Sequence, residues 1–314
     1  MRTFGFFLGH PRGLAHAEAL IRSISVSEPE AAVMAIVPDE MPEEKVYLEK
    51  VFEKMHQAGI FSVECVGGTT DYLEYPFTDK LMGAARFENA CNGESIWLDV
   101  DSLVLQKLPN FKTGHFYVNP VDKKNVGIPF GNAMPQTGKM KPGQGKSALW
   151  QEAEGYFGFK CSEFDAVETR VTREAIYPYF NVGCVVNGTG VPIFKKAVAA
   201  LVEIIALKKR FPSVQESFLE KVFLHQVMFT GAVLSAFSQV GVADIYASNG
   251  KVKRLPKGVN YPIHLLKEDG HKPNPETLYS IRYDTYFDDN SWPESLPEIP
   301  DVSAEALKSF WYYQ

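Results

Sequence analysis

Short apolar runs alternate with helical periodicities through the first hundred residues, and this alternation restricts the chain to one fold class. Thr3–Leu8 is an apolar run closed by Gly9. After a polar turn at His10–Gly13, residues Leu14, Ala17, Leu20, Ile21 and Ile24 recur at helical spacing. Ala31–Val37 is a second run, stopped by Pro38-Asp39. Pro42 suits the first turn of a helix that Val46, Leu48, Val51, Phe52 and Met55 continue. Phe61–Val66 is a third run, ended by Gly67-Gly68. Thr78 then reads as the cap of a helix reaching Ala90, and Ser95–Leu98 is a fourth strand. Strands and helices in this order predict an α/β fold with a mostly parallel sheet covered by helices. Ligands of such sheets bind beyond the carboxyl ends of the strands. The expected site edge therefore carries Gly9-His10, Asp39, Gly67-Gly68 and Asp99–Asp101.

The second half is less regular. Residues 120–150 are rich in glycine, proline, asparagine and lysine, and from Lys123 to Lys146 there are five lysines and no acidic residue. A mobile basic loop is expected there. Tyr179–Asn187 reads as a strand, Pro192–Lys208 as a helix with basic residues at its end, and about 215–237 as another helix.

Composition narrows the possible partners. With 45% hydrophobic and 22% charged residues the chain can bury a full core. A net charge of −6 carries no basic footprint, which argues against general nucleic-acid binding. A local cluster of donors or a metal still permits an anionic small ligand. Cys65, Cys91, Cys161 and Cys184 form no CxxC pair and read as reduced, intracellular thiols. The Asn187-Gly188-Thr189 sequon is then expected to be unused. Phe4–Leu8 is too short for a signal-peptide core, and no apolar stretch is long enough to span a membrane. A cytoplasmic protein is expected.

The segment Ile96-Trp97-Leu98-Asp99-Val100-Asp101-Ser102-Leu103-Val104 carries the strongest chemical signal. An apolar strand runs into two carboxylates one residue apart. In a regular strand both would point to the same face, where they repel and lose hydration. A divalent cation resolves this, because Mg²⁺ or Mn²⁺ binds through one or two carboxylates plus substrate phosphates. A turn with two solvated acids is the competing reading. Gly143-Gln144-Gly145-Lys146-Ser147 is not a phosphate loop, since Met140 stands where that pattern requires glycine.

These residues resemble the DxD strand of GT-A glycosyltransferases. Later pieces appear in matching order. Phe180-Asn181-Val182-Gly183 is similar to a strand of the glycogenin-like and bacterial galactosyltransferase-like (family 8) enzymes. His225-Gln226 stands where that family usually has Asp-Gln, and Leu255-Pro256 with Asn260 resembles a further segment. The resemblance implies a GT-A (nucleotide-diphospho-sugar transferase) fold over residues 1–290. Its nucleotide-binding half would span 1–119 and its acceptor-binding half 120–290, with a tail and short helix at 291–314.

It also implies roles. Asp99 and Asp101 would hold Mn²⁺ or Mg²⁺, and the nucleotide-diphosphate sugar would lie along Asp39, Val100 and Gly183. Lys80, or alternatively Arg86, would supply the basic contact to the donor. Asn181 and Gln226 would face the sugar, with His225 beside them. The family's late metal-binding histidine is missing from Leu278–Tyr283, so Arg282 would meet phosphate, and His264 or His271 would complete the metal set. A retaining transfer to a carbohydrate, lipid or protein acceptor is implied. Glu174 or Asp165 would be the base of an inverting one. A non-catalytic nucleotide-sugar binder and a sugar nucleotidyltransferase are the competing functions.

Overall fold

The computed structural model describes residues 2–67, 77–111, 113–121, 127–128, 148–164, 166–168, 175–210, 218–240, 247–248, 251–252, 264–265 and 280–282. The strands β1 (Arg2–Phe7), β2 (Ala32–Pro38), β3 (Phe61–Val66), β4 (Glu94–Leu98), β6 (Phe116–Pro120) and β9 (Phe180–Asn187) form a six-stranded sheet. Its order is β3-β2-β1-β4-β9-β6. The first four of these in space pair in parallel, whereas β9 runs antiparallel to both β4 and β6. The sheet is thus mostly parallel, as expected.

Alternation along the strands explains the two helix layers. On β1, Phe4 and Phe6 face a core shared with Ala17, Leu20, Ile21 and Ile24 of α1 (Leu14–Ser27). On the other face, α4 (Phe77–Ala90) lies directly on β1, where a Cβ on Gly5 would stand 2.4 Å from the Phe87 ring. Only glycine permits that approach. Trp97 of β4 joins this second core with Phe194 of α6 (Ile193–Arg210) and Phe229 of α7 (Phe218–Val240). Burial of large aromatics on this face supplies much of the apolar driving force, about 25 cal/mol per Å².

Several expectations shift in detail. The helix from Pro42 divides into α2 (Pro42–Val51) and α3 (Glu53–Gln57), with Phe52 between them folded onto the Phe61 ring. The helix expected to be capped by Thr78 already includes Phe77, so Thr78 lies inside its first turn, fully buried. A short strand, β5 (Ser102–Val104), follows the acidic pair. The end of the expected loop is a helix, α5 (Ala148–Phe157), whose Leu149, Trp150 and Ala153 enter the core. Short β7 (Val167–Glu168) and β8 (Ala175–Ile176) pair with each other, as do β10 (Ala247–Ser248) and β11 (Lys251–Val252). β12 (His264–Leu265), β13 (Ser280–Arg282) and β5 form a three-stranded sheet. Gly68, most of the basic loop, Asp165, Glu174, Leu255-Pro256, Asn260, His271 and the 291–314 tail lie outside the described residues. No helix among the described residues is long and apolar enough to cross a membrane.

Candidate active site

The acidic pair does not continue the strand. β4 ends at Leu98, and the backbone N–H of Ser102 donates to the carbonyl of Asp99 at 3.1 Å. That bond closes a turn with Val100 and Asp101 at its tip. The expectation of two carboxylates side by side on a regular strand is therefore corrected to a turn at the strand's carboxyl end. Both are nonetheless largely buried, Asp99 at 7% exposure and Asp101 at 9%.

Asp99 is tied to the rest of the sheet. Its N–H donates to the carbonyl of Gly183 at 2.9 Å, extending the antiparallel β4–β9 ladder by one rung. The Asp99 carboxylate lies over the Gly183 backbone. A Cβ there would sit 2.6 Å from Asp99 Oδ2 and 2.8 Å from Asn181 Oδ1. Asn181 is held in turn, because the Gly183 N–H donates to its Oδ1 at 2.6 Å. The Lys80 ammonium, from the first turns of α4, forms an ion pair with Asp99 Oδ1. This pair offsets the cost of burying the carboxylate. The neighbouring Cys184 thiol is pushed up to about 12, first by burial and then by the Asp99 charge, so it is inert. Asp99, Lys80, Asn181 and Gly183 therefore meet at one place, from three elements.

Helix α7 carries two further residues expected in the site. The His225 ring stacks on Phe77 at 4.3 Å between centroids and 6° between planes. Gln226 beside it is 8% exposed, and its Oε1 has no hydrogen-bond partner among the described residues. A buried amide oxygen left without a donor is costly, so this atom is suited to a hydroxyl brought by a ligand or to water. The helix is fixed against β9 by the Phe180 N–H, which donates to Thr230 Oγ1 at 3.0 Å.

Other expected residues stand apart. Arg86 pairs with Glu64 of β3 at 2.9 Å rather than with the acidic turn. Asp39 is exposed at the end of β2, its N–H donating to Val66 at 3.0 Å, and a Cβ on Gly67 would lie 3.4 Å from Asp39 Oδ2. It shares the carboxyl edge of the sheet with Asp99. The backbone of Arg282 on β13 pairs with Ser102, adjacent to Asp101. His264 on β12 pairs with Ser280, which itself faces Val104. In register, Arg282 is next to the turn, and His264 lies one strand farther out and two residues along. Phe77 and the buried His16 were not foreseen. A hint of His16 exists in its place on the apolar stripe of α1, four residues before Leu20.

With this geometry in view, residues 6–231 match the Rhodobacterales glycosyltransferase domain. That span covers most of the chain, including the acidic turn, Asn181, Gly183, His225 and Gln226. The chain belongs to this glycosyltransferase family. The helix-flanked, mostly parallel sheet agrees with the GT-A architecture that its sequence resembles. Among solved structures, this glycosyltransferase is similar to the galactosyltransferase LgtC in complex with donor and acceptor sugar analogues. The identity is 12% and the TM-score 0.43, over 98% of this chain and 93% of that one. No curated protein sequence matches it.

Proposed function

We propose that this glycosyltransferase takes its sugar from a nucleotide-diphosphate donor bound at the Asp99–Asp101 turn together with Mn²⁺ or Mg²⁺. The observation that carries this reading is the meeting of Asp99 with Lys80, Asn181 and Gly183 at the carboxyl edge of the sheet. Among the described residues no three His, Cys, Asp or Glu side chains gather as a metal set. Two carboxylates suffice for a small divalent ion when substrate phosphates and water complete its oxygen shell. The missing Cβ at Gly183 keeps clear the space that the Asp99 carboxylate occupies, which fits such a ligand. When bound, the ion would stabilise negative charge on the departing diphosphate.

The chain's own groups then have distinct tasks. Lys80 balances Asp99 and presents a cation at the phosphate side. Arg282, whose backbone pairs with Ser102, is assigned a guanidinium contact to the same phosphates. Asn181 spends its oxygen on the Gly183 N–H, so its amide hydrogens are the donors it offers to the sugar. Gln226 offers a buried acceptor for a sugar hydroxyl. Position 225 supplies no carboxylate nucleophile, and His225 is engaged with Phe77. Leaving and arrival on the same face of the sugar, with retention, is the mechanism these residues fit.

Thermal shift against nucleoside diphosphates and nucleotide sugars, with and without Mn²⁺, tests this reading. A ligand at about 100 times its Kd adds about 2.7 kcal/mol to stability. One nucleotide should raise Tm in the wild type in a Mn²⁺-dependent way, and Asp99→Asn and Asp101→Asn should abolish the shift. Slow hydrolysis of the matching nucleotide sugar without acceptor distinguishes a transferase from a binder. Equal shifts in wild type and both variants would remove the turn from the site.

A further inference from the structure

The two oxygens of the Asp99 carboxylate face different partners. Oδ2 lies over Gly183, where a Cβ would stand 2.6 Å from it and 2.8 Å from Asn181 Oδ1. Oδ1 takes the Lys80 ammonium. Both side chains are shielded from water, Lys80 at 19% exposure and Asp99 at 8%, and salt screens a pair so placed only weakly. Lys80 is also anchored. Three residues earlier, on the same face of α4, Phe77 stacks on His225 of α7. Towards the other end of the helix, Glu88 accepts from Asn187 and from the first N–H groups of α6. When the ammonium leaves Asp99 the helix therefore stays, and the flexible four-carbon stem carries the movement.

Charge decides what that movement does. A divalent ion that uses Asp99 Oδ1 meets the ammonium on the same oxygen. Like charges repel most strongly where water is excluded. Asp99, Asp101 and Lys80 sum to one formal negative charge, and the affinity of an oxygen site for such an ion follows its count of ligand charges. A donor diphosphate alters both conditions. It adds negative charge, and its phosphate oxygens give the ammonium another place to go.

We propose that Lys80 makes metal uptake conditional on the donor: its ammonium occupies Asp99 until the donor phosphates draw it away, so that the divalent cation binds tightly only together with the nucleotide-diphosphate sugar. This inference rests on the reading of the Asp99–Asp101 turn as the donor site. Such coupling between two ligands is reciprocal and typically amounts to about 5–150-fold.

The test is a Mn²⁺ titration of the full chain without nucleotide, with free ion read by electron paramagnetic resonance. Lys80→Met keeps the length of the side chain and removes its charge, and should bind Mn²⁺ about fivefold or more tightly than wild type. A lysine that only supports the acidic turn would give unchanged or weaker binding on removal. Lys80→Arg keeps the charge and should bind no more tightly than wild type. Should Lys80→Met not fold, Lys80→Gln, which retains a neutral donor for Asp99, takes its place with the same expected gain. UDP, GDP, CDP and ADP are then tried in turn by thermal shift. The excess of the shift with Mn²⁺ and nucleotide together over the two separate shifts should be smaller in Lys80→Met than in wild type. Equal or weaker Mn²⁺ binding by Lys80→Met, tighter binding by Lys80→Arg, or an undiminished excess overturns this inference. A wild type that takes up neither Mn²⁺ nor any of the nucleotides, alone or together, overturns the donor-site reading and this inference with it. Uptake of both by the wild type with unchanged Mn²⁺ affinity in Lys80→Met overturns this inference alone.

Discussion

Gly183 shows how much one missing methyl can decide. Ordinary contact between a Cβ and an oxygen begins near 3.4 Å, yet a Cβ here would fall 2.6 Å from Asp99 Oδ2. Gly183→Ala must therefore move the carboxylate by somewhat under an ångström. A misplacement of that size can cost about 100-fold in rate, even where folding is intact. The expected outcome is a fall of about that size in kcat/KM for donor hydrolysis, with Tm changed by only a few degrees. Activity within threefold of wild type would show that the Asp99 position is not critical. The residue scale is also where the sequence was most and least legible. Asp99 was conspicuous as an acid abutting an apolar strand, whereas Asn181, Gly183 and Gln226 were singled out only by resemblance to family segments in matching order. Arg86 competed with Lys80 because both lie on one helix, and periodicity alone does not tell which end of α4 reaches β4. The turn at Val100-Asp101 stood only as the competing reading because nothing local marks it: neither residue is glycine or proline.

At the scale of elements, α4 joins parts of the molecule that are distant in sequence. Near its end, Glu88 accepts from Asn187 Nδ2 at 3.0 Å and from the N–H groups of Ile193 and Phe194 at 2.9 Å each. It thus caps the N-terminus of α6 and grips the end of β9. Asn187 Oδ1 meanwhile accepts from Thr189, and its amide also donates to Val191. The sequon asparagine is thereby engaged on every side, a structural reason for it to stay unmodified in the folded chain.

Burial raises the Glu88 pKa to about 7, against the lowering effect of these hydrogen bonds. An acid whose folded pKa exceeds its unfolded value binds more protons when folded. Its contribution is then greatest below about 4.5 and is lost as pH rises towards 7. The whole effect amounts to about 3 kcal/mol at 1.4 kcal/mol per unit. Urea unfolding at pH 5 and pH 7.5 should show Glu88→Gln less stable than wild type at both, with the gap narrowing at the higher pH. A gap independent of pH would mean that Glu88 is ionised throughout. None of this was legible in the sequence, since a glutamate on a helix gives no sign that a helix a hundred residues later begins on top of it. The elements themselves were legible wherever one period dominated, as in β1 to β4. They blurred where glycine, proline and lysine crowd the approach to an element, as just before α5.

Across the whole molecule the two edges of the sheet are specialised differently. The carboxyl edge carries the acidic turn, Asp39 and Asn181. At the opposite edge Arg2 pairs with Glu28 and Glu94 at 2.5 Å each and donates to the carbonyls of Leu108 and Pro109. This clamp joins the starts of β1 and β4 to the end of α1. Arg2→Ala leaves the buried Glu28 carboxylate with the Leu108 N–H, at 2.7 Å, as its remaining described hydrogen bond. Breaking a buried pair costs about 3–5 kcal/mol. A Tm lower by about 10 °C is expected for a chain this long, at 2–4 °C per kcal/mol. Donor hydrolysis well below that Tm should be unchanged, because the clamp and the site lie at opposite edges.

The sheet topology was legible as a parallel core, but the reversal at β9 was not, since strand direction leaves no trace in hydrophobic pattern. The reversal brings the start of β9, with Asn181 and Gly183, to the edge where β4 ends. Helix α4 spans the same seam, with Lys80 on Asp99 at one end and Glu88 on β9 and α6 about 12 Å along at the other. A rod pinned at both ends cannot serve as a hinge. If α4 moved away from this seam, the ion pair and the cap would both have to break. Any opening and closing during turnover must therefore leave this seam rigid and be carried by other parts of the chain.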